Sequence, residues 1–252
     1  MTTPLAEMPT TGRVFPAWAI IGWRWISRNP AAAIAPVLIP FIFLFFLRLI
    51  TPPQDFPLEV VGAMIFVSQN IGNWVLGDSA SFRIHMAFQD LFVASPMTKV
   101  EYLFGIALSN LIAAVPAFVV LSLLLEWLHP VPLVGWVILA ATIAVMWVLF
   151  SSIGIAISSR VRSRREIWPI GQLVFTALGM LSPLYYPLSA LPPTLRSVAV
   201  FLPGTYAALV AKGGTGLVAT STATLLTDGA FLGISAAVGF AISLSLYRWR
   251  AT

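Results

Sequence analysis

The chain has no cysteine, only two histidines, and very little charge: Asp, Glu, Lys and Arg together make up 9% of its 252 residues. Without cysteine there is no disulfide framework and no thiolate metal site. His85 and His129 stand far apart in sequence and lack a spaced partner, which argues against a zinc site. The shortage of charge excludes more. A soluble domain solvates its surface with roughly a quarter of its residues charged, and this chain falls far below that. Also missing are a Walker motif, a nucleophile elbow and a histidine paired with a nearby nucleophile. No run of acids lies within the apolar stretches of the kind that carries protons or cations through a secondary carrier. Nor is there the repetition of spans that carriers often show. Any energy source therefore has to come from a partner.

What the chain does have is apolar length. Hydrophobic residues are 59% of the sequence, and six stretches, at 31–50, 58–77, 103–125, 133–157, 168–182 and 229–247, approach the roughly 20 residues that a bilayer-spanning helix needs. The net charge of +5 comes from twelve Arg and two Lys against nine acids. Most of these cations flank the apolar stretches, as membrane orientation requires, so nucleic acid is not the expected partner. Four Arg lie between 160 and 165, and each would cost roughly 2.5–3.5 kcal/mol at the centre of a spanning helix. With six spans and both termini cytoplasmic, eleven cations fall on the inner side and Arg48, Arg196 and Lys212 on the outer. The expectation is an all-α membrane protein of six transmembrane helices forming one domain over 1–252. The start is polar and lacks a charged-then-apolar pattern, so no cleavable signal is expected.

The segments around the spans are distinctive. On a helix over 13–28, Arg13, Arg24 and Arg28 fall within about 60° of each other, with Phe15, Trp18, Trp25 and Ile26 opposite. That is the pattern of an amphipathic helix lying in the membrane interface, and Asn29-Pro30 ends it. Span one holds Pro36 and Pro40 and exits into a tight loop with three prolines between 51 and 57. Span two is polar at its centre, with Ser68, Gln69, Asn70 and Asn73, and Asp78 at its end. Gln69 and Asn73 share a helix face, and amides at this depth need partners, either another helix or water and substrate in a pathway. A short amphipathic helix fits 84–94; Ser95-Pro96 stops it, and Thr98 with Glu101 has the spacing of a capping box for the next helix. After 168 the apolar run breaks at Pro183, Pro187, Pro192, Pro193 and Pro203, which suits short re-entrant helices on the outer face over 183–206. A flexible polar stretch is expected from Lys212-Gly213-Gly214 to Asp228, without the order of a phosphate loop. Gly229, Gly233 and Ala237 at four-residue spacing would allow close packing of span six.

Two of these segments resemble the permease subunit of ABC transporter type-2 exporters. One is the loop from Arg83 to Gly105 with Leu91, Ser95-Pro96 and Glu101; Ala87 departs from the glycine many members carry there. The other is Pro183-Leu184-Tyr185-Tyr186-Pro187, then Leu191-Pro192-Pro193 and Pro203-Gly204-Thr205-Tyr206. The resemblance implies a half-transporter that is not itself an enzyme. A second permease chain, identical or homologous, completes the pathway, and two ATP-binding subunits carry ATP and Mg; no cofactor is bound by this chain. It implies a coupling helix, about Phe88 to Ala94, seated in the ATPase, with Phe88, Leu91 and Phe92 as apolar contacts, Asp90 as a polar one, and Ser95 and Pro96 closing it. It also implies an outer signature of Pro187, Leu191, Pro192, Pro203 and Tyr206, and a place in the cytoplasmic membrane of a prokaryote. Gln69 and Asn73 are the candidate pathway residues. The absence of a charged stripe favours hydrophobic or amphiphilic cargo, a drug or antibiotic before a lipid or lipid-linked glycan; an ion-coupled carrier is the alternative of a different class.

Overall fold

The computed structural model describes residues 14–84, 88–95 and 97–247, and among these every regular element is helical. The helices are α1 (Val14–Arg28), α2 (Pro30–Ile50), α3 (Phe56–Ile84), α4 (Phe88–Val93), α5 (Lys99–Leu128), α6 (Leu133–Ser158), α7 (Arg164–Leu181), α8 (Pro193–Ala199), α9 (Pro203–Gly214) and α10 (Thr222–Leu246), with single 3₁₀ turns at Pro53–Asp55 and Leu188–Ala190. Arg13, His85, Ala87, Pro96, Arg248 and Arg250 lie outside the described residues.

Among the described residues four helices are long and apolar enough to cross a membrane: α3 with the turn before it, α5, α6 and α10. The pair α8 and α9, bent by 83° at their break, makes a fifth if it counts as one span. The first and fifth of the six expected spans do not meet that measure. The apolar stretch described for α2 is the shorter Pro36–Ile50, and α7 opens with Arg164, Arg165 and Glu166 in its first turn. The protein is thus a multi-pass helical membrane protein, with four to five candidate spans among the described residues by length and composition.

Several boundaries differ from the sequence expectation, each for a local reason. α3 does not stop at Asp78 but runs on to Ile84, because the Asp78 carboxylate is met by an amide of α5 and need not leave the helix. It also starts inside the proline loop, at Phe56-Pro57, where a proline in the first turn has no helical N–H to lose. Lys212, Gly213 and Gly214 continue α9 and do not form a flexible stretch; the chain turns only at Gly216, whose φ of 80° is left-handed. α10 begins at Thr222, seven residues before the expected apolar run, because the Ser221 hydroxyl accepts from the Thr224 N–H. The capping box at α5 forms as expected, with Thr98 and Glu101 satisfying each other's backbone N–H.

α3 is the axis of the bundle, touched by α2, α5, α6, α7 and α9. Its crossing with α6 is backbone to backbone. A Cβ on Gly72 would lie 2.7 Å from the Phe150 carbonyl carbon, and one on Gly154 would lie 3.1 Å from the Leu76 nitrogen. α5 joins α6 through the Trp147 indole, whose N–H donates to the Ala107 carbonyl at 3.0 Å. α1 lies on α5, with Gly22 close enough that a Cβ would sit 2.8 Å from the Ser109 carbonyl oxygen. Trp18, expected in the acyl boundary, is instead buried, because Gly105 leaves room for its indole. Trp23 and Trp25 stay exposed.

Candidate functional site

The helix ends at which α4 lies are joined by a polar and aromatic node. α4 has six residues, too few to be stable by its own backbone bonds. Ser95 closes it: its hydroxyl donates to the Phe92 carbonyl at 2.7 Å and accepts from the Met97 N–H. Phe92 turns inward and is half-buried, its ring 5.5 Å from Trp18 and 5.2 Å from Tyr102. Of the residues the resemblance implies for ATPase contact, Asp90 is exposed while Phe92 is committed to the bundle. The side chains of Phe88 and Leu91 lie outside the described set.

Two cations at this end cap helix C-termini, where backbone carbonyls lack partners and the helix dipole is negative. The Arg83 guanidinium donates to the Ser158 and Val161 carbonyls, both at 2.6 Å, closing α6. The Lys99 ammonium donates to the carbonyls of Leu244 and Tyr247 and closes α10. The Tyr247 hydroxyl in turn donates to the Gln89 side-chain oxygen at 2.9 Å, with both residues buried. Sequence reasoning missed Gln89 and Tyr247 as partners and Arg83 and Lys99 as caps. The last two showed only as inner-side charges, and nothing in local spacing pairs residues so far apart.

Within the bundle, Gln69 and Asn73 come together as one polar face of α3 turned to α7. Both are buried. The Gln69 amide donates to the Phe175 carbonyl at 2.9 Å; its oxygen and that of Asn73 have no hydrogen-bond partner. Asn73 faces Gly171, and Gly179 sits where a Cβ would be 3.2 Å from the Gln69 nitrogen. One turn further, the Asn110 amide donates to the Asp78 carboxylate at 2.8 Å, joining α5 to α3.

At the opposite end the proline cluster starts helices. Pro187 and Pro192 precede the 3₁₀ turn and α8, and Pro203 opens α9, positions where a missing N–H costs little. The Leu191 carbonyl accepts from Arg196 at 3.1 Å, and the Tyr206 hydroxyl donates to the Val200 carbonyl at 2.8 Å across the bend. The Tyr206 ring lies 4.1 Å from that of Phe231, which ties α9 to α10. Lys212 donates to the Leu184 carbonyl at 2.7 Å. Among the described residues no group of three or more His, Cys, Asp or Glu could hold a metal.

The ABC-2 type transporter family matches residues 16–211, from α1 into the last turn of α9, and the chain belongs to that family. It is therefore a membrane component of a transporter, of the permease type. No curated protein matches the chain.

Proposed function

We propose that this chain is the permease of an ATP-driven ABC exporter and that α4 is its coupling helix. The observation that carries this reading is the placement of α4 within the matched family segment. It is held at one end of the bundle by Phe92 and Gln89 and presents Asp90 outward. ATP hydrolysis then belongs to separate subunits, two per complex, and a second permease chain completes the pathway. The α4 end is the cytoplasmic one in a prokaryotic plasma membrane, both termini lie on that side, and α2 and α7 count as spans one and five of six. α8 and α9 are the re-entrant pair on the outer face.

Gln69 and Asn73 join the pathway when α7 moves off α3. Their amide oxygens are buried without donors in the state described, a condition that water or substrate would relieve. The cargo is hydrophobic or amphiphilic, most simply a drug or antibiotic. The test is to purify the chain with a co-expressed ATP-binding subunit of an ABC transporter and reconstitute the complex. ATP-dependent movement of a fluorescent drug-like amphiphile is expected. Movement of a fluorescent phospholipid alone would replace drug by lipid, and wild-type recovery of the ATPase with Asp90→Arg would remove α4 from the interface.

A further inference from the structure

The node around α4 contains one contact that ties it to the far end of the chain. α4 has six residues, and what holds it in place is side chains. Phe92 supplies apolar packing on Trp18 and Tyr102, which tolerates sliding. The bond between the Gln89 oxygen and the Tyr247 hydroxyl does not, since a buried hydrogen bond is directional and has no water to replace it. Tyr247 is itself fixed as the C-cap of α10 and by Lys99 at the start of α5. Along its length α10 packs on α6 and α9, with Phe231 on Tyr206 and Gly239 close to Leu149, while Gly229 and Gly233 face open space within this chain. At its end a further attachment leads through Tyr247 to α4.

We propose that Gln89 and Tyr247 form a latch that fixes α4 to the end of α10, so that a partner acting on α4 moves the last helix with it. Transmission by the latch rests on the reading of α4 as a coupling helix; the latch itself does not. α10 lies beyond the segment that defines the family match, so the latch assigns this last helix a role in the stroke. Tyr247 and Gln89 are positioning residues that act through α4 and α10, and touch no substrate.

The latch is tested by hydrogen exchange on the full chain in lipid nanodiscs. Tyr247→Phe keeps the ring and removes only the hydroxyl. Amides of α4 and of the last turn of α10 are expected to exchange about tenfold faster, with those of α3 and α6 unchanged. Gln89→Leu should accelerate the same amides, and the double variant by less than the two effects combined, because the Tyr247–Gln89 bond is common to both while the Tyr247 hydroxyl also meets Ser79 and Tyr102. Unchanged exchange in α4, acceleration spread through α3 and α6, or effects that add in the double variant would each overturn the latch. A second arm uses the chain purified with its ATP-binding subunit. ATP with vanadate is expected to change α10 exchange in the parent and not in Tyr247→Phe; an equal change in both would overturn transmission. Failure to recover any ATP-binding subunit would count against the exporter reading and leave the first arm to decide the latch.

Discussion

α3 and α10 both qualify as membrane spans, yet they live in opposite surroundings. α3 is the least apolar of the four and the most covered, with 83% of its apolar window buried, against 17% for α10. In water the polar helix would be outside. Here lipid is the solvent for apolar side chains, and a helix with Ser68, Gln69, Asn73 and Asp78 must find its partners in protein. Polarity along a span therefore marks contact with other helices, and an apolar exterior marks lipid or a second subunit. Glycine follows the same division. Those of α3 sit against the chain after α7 at Leu184, the α6 backbone at Phe150 and the Trp168 ring of α7, while on α10 Gly229 and Gly233 face open space within this chain and only Gly239 nears α6, at Leu149.

The sharpest way to break the contrast is to fill the same residue type on both helices. Gly72→Leu drives a side chain into the α6 backbone at Phe150, which cannot give way; destabilisation of about 3 kcal/mol or more is expected, seen as loss of monodisperse protein in detergent. Next is Arg83→Ala, which strips two charged hydrogen bonds from the end of α6 and should cost about 2 kcal/mol, measured by thermal unfolding in detergent. Gln69→Leu removes a donor to Phe175 together with an oxygen that has no partner, so the opposing effects should keep the change in stability within about 1 kcal/mol. Altered export at near-normal stability is the expected signature, and normal export would take Gln69 out of the pathway. Smallest is Gly233→Val, expected to shift monomer stability by no more than about 0.5 kcal/mol. If it instead splits an oligomer in native mass spectrometry, the open face of α10 is a subunit contact and not a lipid face.

The sequence made the membrane solvent, a first helix that stops before Asn29 and the capping box at Thr98 legible, because each is a local pattern. α6 was legible almost to the residue, since Pro132 precedes it and arginines follow it. The polar face of Gln69 and Asn73 was visible as a spacing, but not that it would meet Gly171, Gly179 and Phe175. What stayed hidden was long-range. Asp78 looked like a helix end because its partner Asn110 is on another span. Phe92 looked like an outward apolar contact because Trp18 and Tyr102, which claim it, lie on α1 and α5. α2 and α7 show the limit of apolar length alone, since prolines in one and charges at the start of the other blur where a span begins.

The coverage of α3 also sets an order of events on the ribosome. The acceptor that Gln69 uses lies 106 residues downstream and the amide that meets Asp78 lies 32 downstream, so α3 is made well before its partners exist. A helix carrying unsatisfied amides and a carboxylate gains little by moving alone into hydrocarbon. Nascent α3 is therefore expected to linger at the protein-lined exit of the insertion machinery until α5, α6 and α7 emerge to surround it, whereas α10, made after them and mostly apolar on its surface, can pass directly into lipid.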